Sequence, residues 1–209
     1  MLDTHSVTLP PAHQRDPGLI PGQRDMTATA VLQLMKPALL DNHVPLKVFG
    51  DGNCLYRALS RALYGTEEYH MLLRLFTALE ILCHDKLYDP QHPEMAQMIG
   101  DRRIDLPSYN DTCKAVLKPG EDQDIVHMYA ASAVINMPIV SHHPSSSELL
   151  TAWSRRVVGR GVKDMATDVR LLWSSGSVPD TAATFTANHF GTGKRRRLRT
   201  QELATSAVC

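Results

Sequence analysis

One segment constrains this chain more than any other. Leu46-Lys47-Val48-Phe49 runs into Gly50-Asp51-Gly52-Asn53, and Cys54 then opens the run Leu55-Tyr56-Arg57-Ala58-Leu59-Ser60-Arg61-Ala62-Leu63. Pro45 imposes an extended approach, and Asp-Gly is a strong turn signal. Leu55, Ala58, Leu59, Ala62 and Leu63 recur at helical spacing, with Gly65 as the stop. The expectation is an extended segment, a tight turn, and a helix with a cysteine at or near its first turn. There, unpaired N–H groups and the positive end of the helix dipole stabilise a thiolate. The same N–H groups can point at a developing oxyanion. Gly52 removes a side chain where a substrate backbone would come close. The competing reading is a small, buried, inert cysteine at a helix start.

The 209 residues suit one domain with short tails. Residues 1–25 are rich in Pro, Gly, Asp, Arg and His, lack periodicity, and read as a flexible leader. They lack the apolar core of a signal peptide. No apolar run in the sequence reaches the ~20 residues needed to cross a bilayer. Cys54, Cys83, Cys113 and Cys209 form no CxxC pair, so free thiols in a reducing compartment, cytoplasm or nucleus, are expected.

A helix is expected over residues 27–40. A second, starting near Thr66, has Leu72, Leu75, Phe76, Leu79 and Leu82 as its buried stripe. Helical turns at 96–99 and 109–116 precede a helix after Gly120, built on Ile125, Met128, Tyr129 and Ala133 and ended by Asn136. Residues 137–140, 168–173 and 183–190 read as strands, while 148–158 fits helix or strand. Early helices and late strands give an α+β layered domain over residues 26–190. Residues 191–209 read as a basic, disordered tail.

A nucleophilic cysteine needs a histidine that is near in space but often far in sequence. His189 stands in Asn188-His189-Phe190, at the end of the last strand-like run. A rigid strand edge suits a residue that must hold its imidazole by a thiolate. His70, His84 and His127 fall in helices and read as ordinary, partly buried residues. Cys83, His84, Cys113, His127, His142 and His143 are possible zinc ligands, but none has the tight spacing of a knuckle, and no metal is expected. Trp153, Trp173, Tyr56 and Tyr64 read as packing aromatics.

Cys54 and His189, in these settings, resemble the ovarian tumour (OTU) family of cysteine proteases. Asp51-Gly52-Asn53-Cys54 with Leu55-Tyr56-Arg57-Ala58 is similar to the family's Asp-Gly-x-Cys and its following helix, and Asn188-His189-Phe190 to its x-His-aromatic motif. IVHMYAASAVINMPIV, residues 125–140, looks like the family's helix and buried strand, and DVRLLW like its next strand. The resemblance covers about residues 45–190, and VFGDGNCLYRALSRALYGTEE also looks like vertnin-type and transposon-linked members. It implies a papain-like α+β fold, with helices packed on a small, mostly central β-sheet. It also implies hydrolysis of ubiquitin isopeptide bonds without metal or organic cofactor, and ubiquitin or ubiquitinated proteins as partners. Cys54, His189 and Asp51 become the catalytic candidates, and Gly52 and Asn53 the oxyanion and substrate loop. Cys54 would attack the carbonyl at ubiquitin's C-terminus. His189 would take the thiol proton and return it to the leaving lysine amine.

One departure matters. Many members carry Asn or Asp two residues after the histidine to orient its ring, and here that position is Gly191. Asn188 and Asp180 are the candidate substitutes. An unheld imidazole loses orders of magnitude in rate. The alternative function is therefore a catalytically impaired OTU-like domain that binds ubiquitin or serves as a nuclear regulatory module. Lys plus Arg and Asp plus Glu balance at 22 each, so nucleic acid is not an expected partner of the whole chain. The exception is the run Lys194, Arg195, Arg196, Arg197 and Arg199, which fits a nuclear import signal or nucleic-acid contact as well as a solvated tail.

Overall fold

Pro37 cuts the first helical stretch in two. The computed structural model describes residues 9–10, 23–100, 106–144, 154–163, 165–180 and 189–195. In it α1 (Met26–Met35) is capped by Asp25, whose carboxylate accepts the Ala28 N–H at 2.8 Å. α2 (Ala38–Asn42) restarts behind Pro37. The single helix expected over 27–40 breaks because proline has no N–H to extend the ladder. β1 (His43–Leu46) leads to α3 (Cys54–Tyr64), which ends as expected at Gly65 in the left-handed region. There follow α4 (His70–Cys83), α5 (Asp85–Tyr88), α6 (Pro93–Ile99), α7 (Tyr109–Leu117) and α8 (Ile125–Ile135), then β2 (Ile139–His142), β3 (Arg156–Val157), β4 (Val169–Ser174) and β5 (His189–Arg195).

The strands form one sheet in the order β1-β5-β4-β2-β3. β5 runs antiparallel to both β1 and β4, β4 is parallel to β2, and β3 pairs antiparallel with β2. One face of the sheet carries Ile139, Val169, Leu171 and Phe190 into a core shared with α3, α4 and α8. The other carries Leu172 against Ala28, Leu32 and Leu40. The sheet is thus sandwiched between helices, the expected α+β layering.

Three expectations are corrected. The first is the tail. Gly191, Thr192, Gly193, Lys194 and Arg195 belong to β5: Gly191 pairs with Leu172, Thr192 with both Leu171 and Leu46, and Gly193 with Pro45. A strand held on both edges needs no apolar run of its own. A Cβ on Gly191 would come within 3.3 Å of the Leu46 carbonyl oxygen, so the glycine suits a close approach of β1. The domain therefore extends at least to Arg195. Residues 196–209, with Arg196, Arg197 and Arg199, lie outside the described residues.

The second is the leader. Gln23, Arg24 and Asp25 run along β1: Lys47 N–H donates to Gln23 O at 2.8 Å, and Asp25 N–H to Pro45 O at 2.9 Å. Leu9 packs against the core.

The third is the α4 stripe. The buried positions are Leu73, Arg74, Thr77, Ala78 and Ile81, whereas Leu75, Leu79 and Leu82 are 53%, 46% and 44% exposed. The helix is turned so that polar side chains with partners face inward. Thr77 Oγ1 donates to Leu73 O at 2.8 Å, and Arg74 meets six oxygens. An apolar stripe finds the wrong face when buried polar groups are satisfied by residues distant in sequence.

α8 is buried along Ile125–Ser132 rather than on one stripe, and its start is a capping box between Asp124 and His127. His127 is fully buried, with Nε2 3.0 Å from Thr112 O, so it is a structural histidine. Trp173 packs on Phe190 with ring centroids 4.0 Å apart, and its Nε1 donates to Ser141 Oγ at 2.7 Å. Trp153 and residues 183–188 of the expected last strand lie outside the described residues, while β3 gives the ambiguous 148–158 stretch a strand at its end.

His142 and His143, at the end of β2, are held neutral. Burial lowers each to a pKa of about 4, and for His142 the positive charge of neighbouring His43 and Arg170 adds to the effect. His142 Nε2 is buried without a hydrogen-bond partner among the described residues. Between the unfolded value near 6.5 and these lowered values the unfolded chain binds more protons, so stability is lost as pH falls through that window. Thermal unfolding should shift down by roughly 3–6 °C from pH 7 to pH 4.5 for this pair. His142→Gln should flatten part of that slope, and equal slopes in both proteins would contradict the assignment.

Candidate active site

Residues 47–53, between β1 and α3, are fixed from two sides. On one, Asp51 takes a bidentate contact from Arg57, with Nε 3.0 Å from Oδ1 and Nη2 2.8 Å from Oδ2. Arg57 Nη1 reaches Glu67 Oε2 at 3.4 Å. Glu67 Oε1 accepts from Arg61 Nη1 at 2.8 Å, and the same Arg61 nitrogen donates to Lys47 O at 2.6 Å. The guanidinium of Arg57 lies 5.4 Å from the ring centre of exposed Phe49. Hydrogen bonds from Arg57, with the Asn53 amides behind them, hold the Asp51 carboxyl well below the usual carboxylate range. Asp51 therefore shapes the loop. Both its oxygens are occupied, by Arg57 and by the backbone and side-chain amides of Asn53.

On the other side, the loop rests on the segment after α7. Gly52 has φ +73°, and a Cβ placed there would stand 1.8 Å from the Gly120 carbonyl oxygen. The close approach anticipated at Gly52 is thus made by the protein's own backbone. Asn53 does not cap α3 with its side chain. Its Oδ1 instead accepts from Arg74 Nη1 at 2.6 Å, and its Nδ2 donates to Asp51 Oδ2 at 3.1 Å. The first-turn amides of α3 are left without a side-chain cap.

Cys54 sits at that first turn, 5% exposed. Burial pushes its thiol up, and the charge of Asp122 adds to the rise. The backbone N–H of Phe190, then those of Leu55 and of Cys54 itself, act the other way. The expected stabilisation of a thiolate by the helix start is present but outweighed by desolvation. The resting group is a thiol that needs a base.

Helix α3 packs on β5, with Cys54 and Phe190 in one buried cluster, and so joins the two motifs that are separate in sequence. His189, the preceding residue, is the first of β5 and pairs with buried Ser174 of β4. The backbone of His189 is therefore at the mouth of α3; its ring lies outside the described residues, as does Asn188. Asp180 is exposed. Three residues that sequence reasoning passed over complete the surroundings. Arg74 reaches Gly52 O and Asn53, and Gly120 seats Gly52. Gln123 Oε1 accepts the buried Tyr56 hydroxyl at 2.8 Å, while its Nε2 donates to the carbonyls of Ala115, Glu121 and Asp122. The available signals were a lone arginine in the apolar run HMLLRLFTALEILC and the Pro119-Gly120 turn.

A family profile described as "Vertnin, OTU domain" matches residues 45–115. Human vertnin is 24% identical over 187 residues, which are 81% of this chain and 26% of vertnin. The ovarian tumour domain-containing deubiquitinating enzyme 9 of Arabidopsis thaliana is 31% identical over 86 residues, which are 41% of this chain and 21% of that enzyme. The chain thus spans about a quarter of the length of the curated relatives it matches. Among solved structures, the viral OTU domain protease from Taggert virus superposes with a TM-score of 0.50 at 16% identity, over 76% of this chain and 83% of that one. That likeness shows the fold to be the OTU one.

Gly52→Ala should cost at least about 3 kcal/mol, because positive φ and a backbone clash act together. Gly161, also at positive φ (+68°) but with nothing within 4 Å of where a Cβ would stand, isolates the conformational part. Gly161→Ala should cost about 1 kcal/mol. Denaturant unfolding of the two variants measures the difference, and equal losses would remove the Gly120 contact as the cause.

Proposed function

Because the chain belongs to the OTU-domain family, in its vertnin-like branch, we propose that it is a thiol hydrolase cleaving ubiquitin isopeptide bonds, with Cys54 as nucleophile and His189 as base. The observation that carries this reading is the packing of β5 on α3, which puts Cys54 and Phe190, the residue after His189, in one buried cluster. The family includes a relative named as a deubiquitinating enzyme.

In the reaction, the His189 imidazole takes the Sγ proton, and the sulfur attacks the carbonyl carbon at ubiquitin's C-terminus. The developing oxyanion is met by amides at the start of α3. Collapse breaks the C–N bond and expels the lysine amine, which takes the proton from His189. Water, deprotonated by the same imidazole, then cleaves the thioester and restores the thiol. The elevated thiol makes the base indispensable, so kcat/KM should climb as pH rises through the histidine range.

A second reading rests on Gly191, which leaves β5 without a side chain two residues after His189. In that reading the domain binds ubiquitin without turning it over. Ubiquitin bearing a C-terminal thiol-reactive group separates the two. A hydrolase is labelled at Cys54, not at all in Cys54→Ala, and at least about 100-fold more slowly in His189→Ala. A folded wild-type protein that binds ubiquitin yet is never labelled would assign the binding role instead.

A further inference from the structure

Helix α4 buries a cation. Arg74 is 2% exposed, and among the described residues every oxygen it donates to is an uncharged carbonyl or amide. Nε reaches Val116 O at 2.9 Å. Nη1 reaches Asn53 Oδ1 at 2.6 Å and Gly52 O at 3.3 Å. Nη2 reaches the carbonyls of Ala115 and Lys118, and Glu121 O at 3.4 Å. The guanidinium carbon stands 5.4 Å from the Tyr56 ring centre.

Ala115, Val116 and Lys118 belong to the end of α7, where carbonyls lack helical partners and the dipole is negative. That surrounding accommodates a buried positive charge. It does not explain why one is there, since an apolar side chain would hold α4 in place without desolvating a charge. The bonds to Gly52 and Asn53 supply the explanation. These two residues immediately precede the nucleophile, and only a planar fork reaches both them and α7 at once.

We propose that Arg74 is a positioning residue for Cys54, fixing the Gly52-Asn53 segment so that the first-turn amides of α3 face the sulfur. This inference deepens the thiol-hydrolase reading and rests on it. The charged groups near the loop and thiol among the described side chains are Arg74 from α4, Asp122 from the segment after α7, and Asp51 paired with Arg57. Of these, Asp122 opposes the thiolate.

The test uses the full chain and two readouts. Alkylation of Cys54 by iodoacetamide, quantified by mass spectrometry of its peptide from pH of about 6 to about 10, reports the thiolate without ubiquitin. The ubiquitin probe reports the assembled site. Arg74→Met should move the alkylation profile alkaline by about 0.5–1 unit. Arg74→Lys keeps the charge but not the fork, and should move the profile as Arg74→Met does and slow probe labelling about tenfold. Asn53→Ala, which frees one arm of the fork and leaves α7 capped, should slow labelling similarly. A folded Arg74→Met with a native profile overturns the proposal. If that variant does not fold, native labelling and a native profile in Asn53→Ala overturn it equally. Should wild type fail to react with the probe, the hydrolase reading falls by itself, and the alkylation profiles still decide what Arg74 does to Cys54.

Discussion

The Gly120 carbonyl occupies the place where a Cβ at residue 52 would be. That contact sets the position of the loop before α3, and much of the site follows from it. With Gly52 seated on Gly120, the next residue, Asn53, can offer its side chain to Arg74 and its backbone N–H to Asp51. Because Asn53 is engaged there, it does not cap α3, and the helix opens on Cys54 with its first amides uncapped. A side chain at residue 52 would displace the loop from its support. An ordinary cap at residue 53 would take an amide of the first turn.

The electrostatics of the site oppose one another. Helix amides and the Phe190 N–H favour a thiolate, while burial and Asp122 favour the thiol, and burial dominates. Dipole effects at a helix start are worth of the order of 1 kcal/mol, whereas removing a charged form from water costs more. A cysteine in this position is unreactive until a base comes to it. Burial holds the group as a thiol at neutral pH, and β5 places the backbone of the histidine motif at the mouth of α3.

The sequence made Cys54, its helix and the turn before it legible because turn residues and helical spacing are local signals. The helix stop at Gly65, the αL residue Asn136 and the strands β2 and β4 were legible for the same reason. What stayed hidden depends on partners far along the chain. Gly191-Thr192-Gly193 carries no strand signal, yet β1 and β4 supply hydrogen bonds on both edges and make it the second strand of the sheet. The family resemblance makes Asp51 a catalytic candidate, and only the fold shows Arg57 and Asn53 occupying its oxygens.

α4 carries the same point furthest. Leu75, Leu79 and Leu82 face outward while Arg74 and Thr77 are buried beside Leu73, Ala78 and Ile81, which is not the stripe that amphipathic reasoning selects. Leucines lie on both faces, so apolar burial alone does not select this rotation, and the bonds of Arg74 and Thr77 favour it. Arg74 can satisfy its donors only beside the end of α7 and the loop at Gly52. The loss of apolar burial at Leu75, Leu79 and Leu82 is offset by a network in which nearly every buried donor has an acceptor. Such a network is less tolerant of substitution than an apolar face, since removing one partner strands another. The same guanidinium therefore ties the helix orientation to the loop before Cys54.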